Sequence, residues 1–220
     1  MIKSIELKNL RSLQSYLLKV EAPTVVIEGP NGIGKTTILE GIYFAATTKS
    51  HRTHQEKEMI MQGKPFGLVR IERASARHEV IMTESGKSTL YNKREIKKLS
   101  HYIGKMHVVM FSPEDLSLVK GAPSLRRYFM DLEIMQVSQK YLQLLSQYKK
   151  ILKQRNALLK KIQVDDAYTF LNILGEQLYD VGIQIYDLRA SFIQSLNETL
   201  QKSYETYEHF KVERNGSRSL

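Results

Sequence analysis

Apolar residues recur along this chain with two different periods, and the change from one to the other divides it. Near the start, Ile5-Glu6-Leu7-Lys8 and then Tyr16-Leu17-Leu18-Lys19-Val20 alternate with a period of two, which predicts two half-buried strands. The unbroken run Thr24-Val25-Val26-Ile27 predicts a third, buried strand. Ile38, Leu39, Ile42 and Ala46 then fall at helical spacing across residues 37–46. Leu68-Val69-Arg70-Ile71-Glu72-Arg73, His78-Glu79-Val80-Ile81-Met82 and Ser88-Thr89-Leu90-Tyr91, separated by short breaks, predict an antiparallel meander. Met106-His107-Val108-Val109-Met110-Phe111 reads as a strand covered on both faces. After it Ser112 stands at a helix cap, Pro113 at the first helical position, and Glu114 and Asp115 in the first turn.

From Pro123 onward the period lengthens to that of long helices. Tyr141, Leu145, Tyr148, Leu152 and Leu159 form one stripe, and Leu171, Leu174, Leu178, Val181, Ile185, Leu188 and Phe192 form a heptad series. The break at Gln163-Val164-Asp165-Asp166 predicts a short acidic turn, so the two helices should pack as an antiparallel hairpin.

Between the third predicted strand and the first helix lies Gly29-Pro30-Asn31-Gly32-Ile33-Gly34-Lys35-Thr36, a complete G-x-x-x-x-G-K-[ST] phosphate loop in the strand–loop–helix setting it requires. Its glycines let successive backbone N–H groups converge on one anion, and the helix N-terminus adds partial positive charge there. Lys35 would reach the β- and γ-phosphates of ATP, and Thr36 would offer its hydroxyl to Mg²⁺. The polar stretch 47–54 reads as a loop close to this nucleotide. No catalytic residue can be assigned. After the loop no apolar strand ends in the acidic residue that hydrolysis needs, which leaves turnover by this chain uncertain.

Composition adds a partner class and removes others. The 220 residues are 42% apolar and 25% charged, as in an ordinary globular protein, with a net charge of +10 that favours a polyanion. Lys149, Lys150, Lys153, Arg155, Lys160 and Lys161 line one helical segment, and Lys93, Arg94, Lys97, Lys98, His101 and Lys105 form a second cluster. Each is either a solvated face or a nucleic-acid track. With no cysteine, no signal-peptide pattern and no apolar run of membrane length, a cytoplasmic location without disulfides is expected. The six histidines show no metal-ligand spacing, His51 and His54 included, and no zinc is expected.

Several blocks together resemble the bacterial RecF recombination-mediator family in order and spacing. They are the phosphate loop, Leu39-Glu40-Gly41-Ile42-Tyr43, Lys49-Ser50-His51-Arg52-Thr53, Phe111-Ser112-Pro113-Glu114-Asp115-Leu116, Val119-Lys120-Gly121-Ala122-Pro123 with Arg126-Arg127, and Gln154-Arg155-Asn156-Ala157-Leu158-Leu159-Lys160. The resemblance implies an α/β P-loop NTPase, an ABC-ATPase head similar to SMC heads, with a mixed sheet, an antiparallel meander and an inserted antiparallel helical arm. It implies residues 1–122 as the N-terminal part of the head, 123–210 as the arm and 211–220 as a tail. It carries over Gly29, Pro30, Asn31, Gly32, Ile33, Gly34, Lys35, Thr36 and Thr37 as the nucleotide site, Thr36 as the Mg²⁺ ligand, and Arg52 as a loop arginine near the nucleotide. Family members bind ATP, dimerise around it, bind DNA at single-strand gaps, and work with RecO and RecR to load RecA. Their signature motif and second acidic element lie beyond the arm, so this sequence looks truncated, and an incomplete sheet would lower its solubility. A role for Glu114 or Asp115 is left open, as are two other functional classes: a small-molecule P-loop kinase, and a helical-hairpin interaction module.

Overall fold

The computed structural model describes residues 1–53, 55–160 and 166–216, and the chain divides into two compact units, Met1–Gln139 and Lys140–Leu220. The first unit is built on a six-stranded sheet of β1 (Ile2–Leu10), β2 (Leu13–Lys19), β3 (Phe66–Arg73), β4 (Arg77–Thr83), β5 (Gly86–Tyr91) and β6 (Arg94–Glu95), in the order β2-β1-β3-β4-β5-β6. Every pairing among the described residues is antiparallel, so the expected meander is present while no parallel pair of a mixed sheet is seen among them. In register, Ile5 and Leu7 of β1 stand opposite Leu18 and Tyr16 of β2 and opposite Ile71 and Val69 of β3. Their inward face is the core, joined by Leu10, Val80 and Met82.

Helix α1 (Lys35–Thr47) covers that face with Ile38, Phe44, Ala45 and Ala46. Gly41 sets the distance of approach, because a Cβ there would meet Leu7 Cδ2 at 2.8 Å. Tyr102, almost wholly buried, donates its hydroxyl to the Ala45 carbonyl at 2.8 Å and ties the segment after β6 to the same helix. On the opposite face the register lines up charges: Arg70 bridges Glu6 on β1 and Glu79 on β4, and Arg77 also reaches Glu79, at 2.8 Å. Such cross-strand pairs are the polar counterpart of the core on the other side.

Two expected strands are absent. Residues 24–27 and 106–111 adopt no strand and pair with no strand among the described residues. Ile27 and Val108 pack on the core, but Val26 is 75% exposed, Val109 87% and Phe111 79%. A run of apolar residues states only that a segment can be buried. Burial on both faces needs neighbouring strands, and the observed sheet closes on the meander instead. Around Val108 a side chain stands in for a strand: Gln136 Nε2 donates to the Val108 carbonyl at 3.0 Å, and the Val108 N–H donates to Gln136 Oε1 at 2.8 Å.

The segment after Phe111 begins as a 3-10 turn, Pro113–Leu116, and continues as the short helix α2 (Ser117–Lys120). Asp115 Oδ2 accepts the Ser112 N–H at 2.7 Å and the Ser112 hydroxyl at 3.0 Å, one half of a capping box. Helix α3 (Pro123–Val137), with proline in its first turn, completes this unit.

The second unit contains most of α4 (Gln139–Leu159), with α5 (Asp166–Gly216). Arg189 Nε donates to the Tyr141 hydroxyl at 2.9 Å, and a Cβ on Gly182 would lie 3.6 Å from the Tyr148 ring. Seven residues forward on α4 therefore match seven back on α5, which is the expected antiparallel hairpin. Its seam buries Tyr141, Leu144, Leu145 and Ile151 against Leu171, Leu174, Val181 and Ile185. A further stripe on α5, Tyr179, Tyr186, Ile193, Leu200 and Tyr207 at intervals of seven, is exposed. The acidic turn at 163–165, Lys161, His54 and residues 217–220 lie outside the described residues. Among the described residues no helix is long and apolar enough to cross a membrane.

Candidate functional site

Helix α1 begins where the phosphate loop ends. Gly34 caps it with φ 105° and ψ 11°, a left-handed conformation that a side chain would strain. Leu13 also closes on this position, within 2.8 Å of where a Cβ would stand. The turn aims the free N–H groups of the first helical turn into a concavity of about 360 Å³. Asn31, Gly32, Gly34, Lys35, Thr36 and Thr37 line it, and Arg52 reaches it from the loop after α1. Seven of the ten expected site residues are thus brought together. Of the other three, Gly29 and Pro30 face Lys35 through their carbonyls, and Ile33 points outward and is exposed.

Lys35 Nζ donates to the Gly29 carbonyl at 2.6 Å and to the Pro30 carbonyl at 2.8 Å, so the ammonium is folded back on its own loop. Thr36 is exposed at the mouth of the concavity. Its hydroxyl is an oxygen ligand of the kind Mg²⁺ accepts, an ion that keeps several waters and takes few protein ligands. Thr36 would supply the chain's oxygen to the ion, whose charge would offset that of the phosphates.

Arg11 and Ser12, from the β1–β2 turn, complete the wall, and the sequence reading missed both. Arg11 takes a positive φ of 51° at that tight turn. Its guanidinium forks onto Glu40, with Nη2 at 2.9 Å from Oε1 and Nε at 3.2 Å from Oε2, and Nη1 donates to the Glu58 carbonyl at 2.9 Å. Glu40 is fully buried on α1. It also accepts the Ser50 hydroxyl at 2.5 Å and lies 3.6 Å from Arg52 Nη1. Burial alone would raise its carboxyl. Hydrogen bonds from Arg11 and Ser50 and the charges of Arg11 and Arg52 outweigh that and hold it below the ordinary carboxylate range. A single buried anion therefore positions two arginines at the rim of the phosphate loop. Glu40 and Arg52 stand twelve residues apart on a helix and its following loop, but Arg11 enters from a distant hairpin and leaves no local spacing signal.

Ser112 and Asp115 line a different cavity, beside Tyr43. In the second unit Lys149 and Lys153 share one face of α4 around Leu152 and Asn156, with Lys160 just past its end. In the other basic cluster, Lys105 lies over the Tyr91 ring at 4.5 Å.

The sequence matches the AAA ATPase domain family over residues 1–218. It is 58% identical over 213 residues to the DNA replication and repair protein RecF of Acholeplasma laidlawii (strain PG-8A), covering 97% of this chain and 61% of that protein. It is 41% identical over 209 residues to that of Lactobacillus johnsonii, covering 92% and 56%. A solved structure of the recombination mediator protein RecF-ATP in the RecFOR pathway aligns with a TM-score of 0.85 at 29% identity, covering 91% of this chain and 56% of that one. The chain thus spans little more than half the length of the relatives it matches.

Proposed function

The chain belongs to the AAA ATPase domain family, in its RecF branch, and from that premise we propose that it binds ATP with Mg²⁺ as part of a DNA replication and repair protein. The observation that carries this reading is the convergence of Lys35, Thr36, Arg11 and Arg52 on one concavity at the N-terminus of α1. The triphosphate enters against the free N–H groups of the loop. Lys35 exchanges the Gly29 and Pro30 carbonyls for β- and γ-phosphate oxygens, a stronger, charge-assisted contact. Thr36 ligates Mg²⁺, while Glu40 keeps the two arginines from collapsing into the space the phosphates need. Glu40 already serves these arginines, and no other carboxylate is among the described residues that line the concavity to orient an attacking water, so in this reading the chain binds ATP without turning it over.

The same reading gives DNA as the macromolecular partner, contacted through phosphates without base recognition by the basic face of α4 and the 93–105 cluster. Recognition of single-strand gaps, ATP-dependent pairing with a second copy, cooperation with RecO and RecR, and loading of RecA belong to this proposal as properties of the longer protein. The deciding experiment measures ATP binding and steady-state turnover together, with and without gapped DNA. Lys35→Ala should abolish binding while the fold, read by circular dichroism, is kept. Unchanged ATP affinity in that variant overturns the nucleotide reading, and turnover that disappears with Lys35 overturns the claim that hydrolysis is lacking.

A further inference from the structure

A second cavity, of about 270 Å³, opens on another face of α1 within the Met1–Gln139 unit. Tyr43 on α1, Tyr128, Phe129 and Glu133 on α3, and Asp115 from the capped turn all line it, with aliphatic side chains between them. Tyr43 is only 6% exposed, and it lines this space. A ligand with a polar head can pair with this phenol from within the cavity. Asp115 is already committed to Ser112 as a cap, so its charge is fixed at the wall. No lysine or arginine is among the described residues that line the cavity, and His51 meets Tyr43 edge-on with ring centroids 6.1 Å apart.

We infer that this cavity binds a small organic cation, an amine whose ammonium lies between Glu133 and the Tyr43 hydroxyl and whose apolar body rests against Phe129 and Leu125. The ammonium gains a charge-assisted hydrogen bond to the carboxylate and the negative faces of the aromatic rings. A carboxylate ligand would meet two like charges, and a purely apolar one would make no hydrogen bond to Tyr43. Burial and then the neighbouring Asp115 push the carboxyl of Glu133 up, and Gln136 Nε2 donates to its Oε2 at 3.5 Å.

The test is calorimetric titration of the chain with phenethylamine, phenethyl alcohol and phenylacetate. Phenethylamine should bind saturably, at least tenfold more tightly than the alcohol, and phenylacetate should not bind. Glu133→Gln should erase the preference for the amine, and Leu125→Trp, which fills the cavity, should abolish binding. Lys35→Ala should bind the amine unchanged, which separates this site from the nucleotide site. Absence of saturable amine binding, equal affinity for amine and alcohol, or an affinity that survives Glu133→Gln in a variant of unchanged unfolding midpoint would each overturn the assignment.

Discussion

His78 stands opposite Tyr91 in the β4–β5 ladder, closed off from solvent, with neither ring nitrogen hydrogen-bonded among the described residues. Tyr91 and Tyr102 flank the imidazole edge-on, at 5.1 and 6.0 Å between centroids. Burial, reinforced by the charges of Arg73 and Lys105, lowers its pKa from 6.5 to about 4. The unfolded chain therefore takes up this proton first on acidification. The stability contributed by neutral His78 is complete above about pH 6.5 and is lost as pH falls to about 4, by roughly 3 kcal/mol in all. Urea unfolding at pH 7 and pH 4.5 should show this loss, and His78→Phe should flatten it. The depressed carboxyls of Glu6, Glu40 and Glu79 act in a lower window, where their stabilisation is present above the ordinary carboxylate range and lost below it. A profile equally steep between pH 6.5 and 5 in the Phe variant would refute the assignment to His78.

Among the elements, the α4–α5 hairpin separates two kinds of apolar residue that sequence alone treats alike. Leu145 faces the seam and is buried, whereas Tyr186 belongs to the outer stripe and is exposed. Leu145→Ala should destabilise the unit by about 3 kcal/mol, and Tyr186→Ala should change it by less than about 0.5 kcal/mol. Thermal unfolding followed by circular dichroism measures both. The inner heptad was legible because its partner was also in the sequence, as the α4 stripe. For the same reason β1 to β5 were legible, since each alternating run found another to pair with. The 24–27 and 106–111 runs were misread as strands because their composition states a wish to be covered and names no neighbour. The phosphate loop could be read residue by residue, since its chemistry is local. Arg11 could not, because only the folded β1–β2 turn brings it to Glu40.

On the scale of the whole molecule, net charge and exposed apolar side chains both bear on behaviour in solution. If the proposed DNA contact holds, the charge of +10 makes its affinity a matter of counterion release. If six or more phosphates are neutralised, affinity should fall by about a thousandfold or more between roughly 50 and 200 mM salt, independent of base sequence. Fluorescence anisotropy with unrelated duplexes measures this, and a flat salt response would remove DNA as the partner. The bare side chains of Val26, Val109 and Phe111 are the second feature, each an exposed apolar group that invites association. Light scattering should show self-association at high concentration. It should fall in Val109→Lys with Phe111→Ser, without loss of unfolding midpoint, because neither side chain contributes to the core.

The fixed register of the hairpin makes its reach a quantity that can be dialled. Matched seven-residue insertions, one in α4 after Leu152 and one in α5 before Leu178, keep every seam residue inward and extend the pair by about 10 Å. Four residues added to α5 alone rotate everything beyond the insertion by about 40° and shift it one turn along the seam. A graded series of such paired insertions would convert the arm into a ruler, and would reveal whether whatever it touches must be met at one distance or at any.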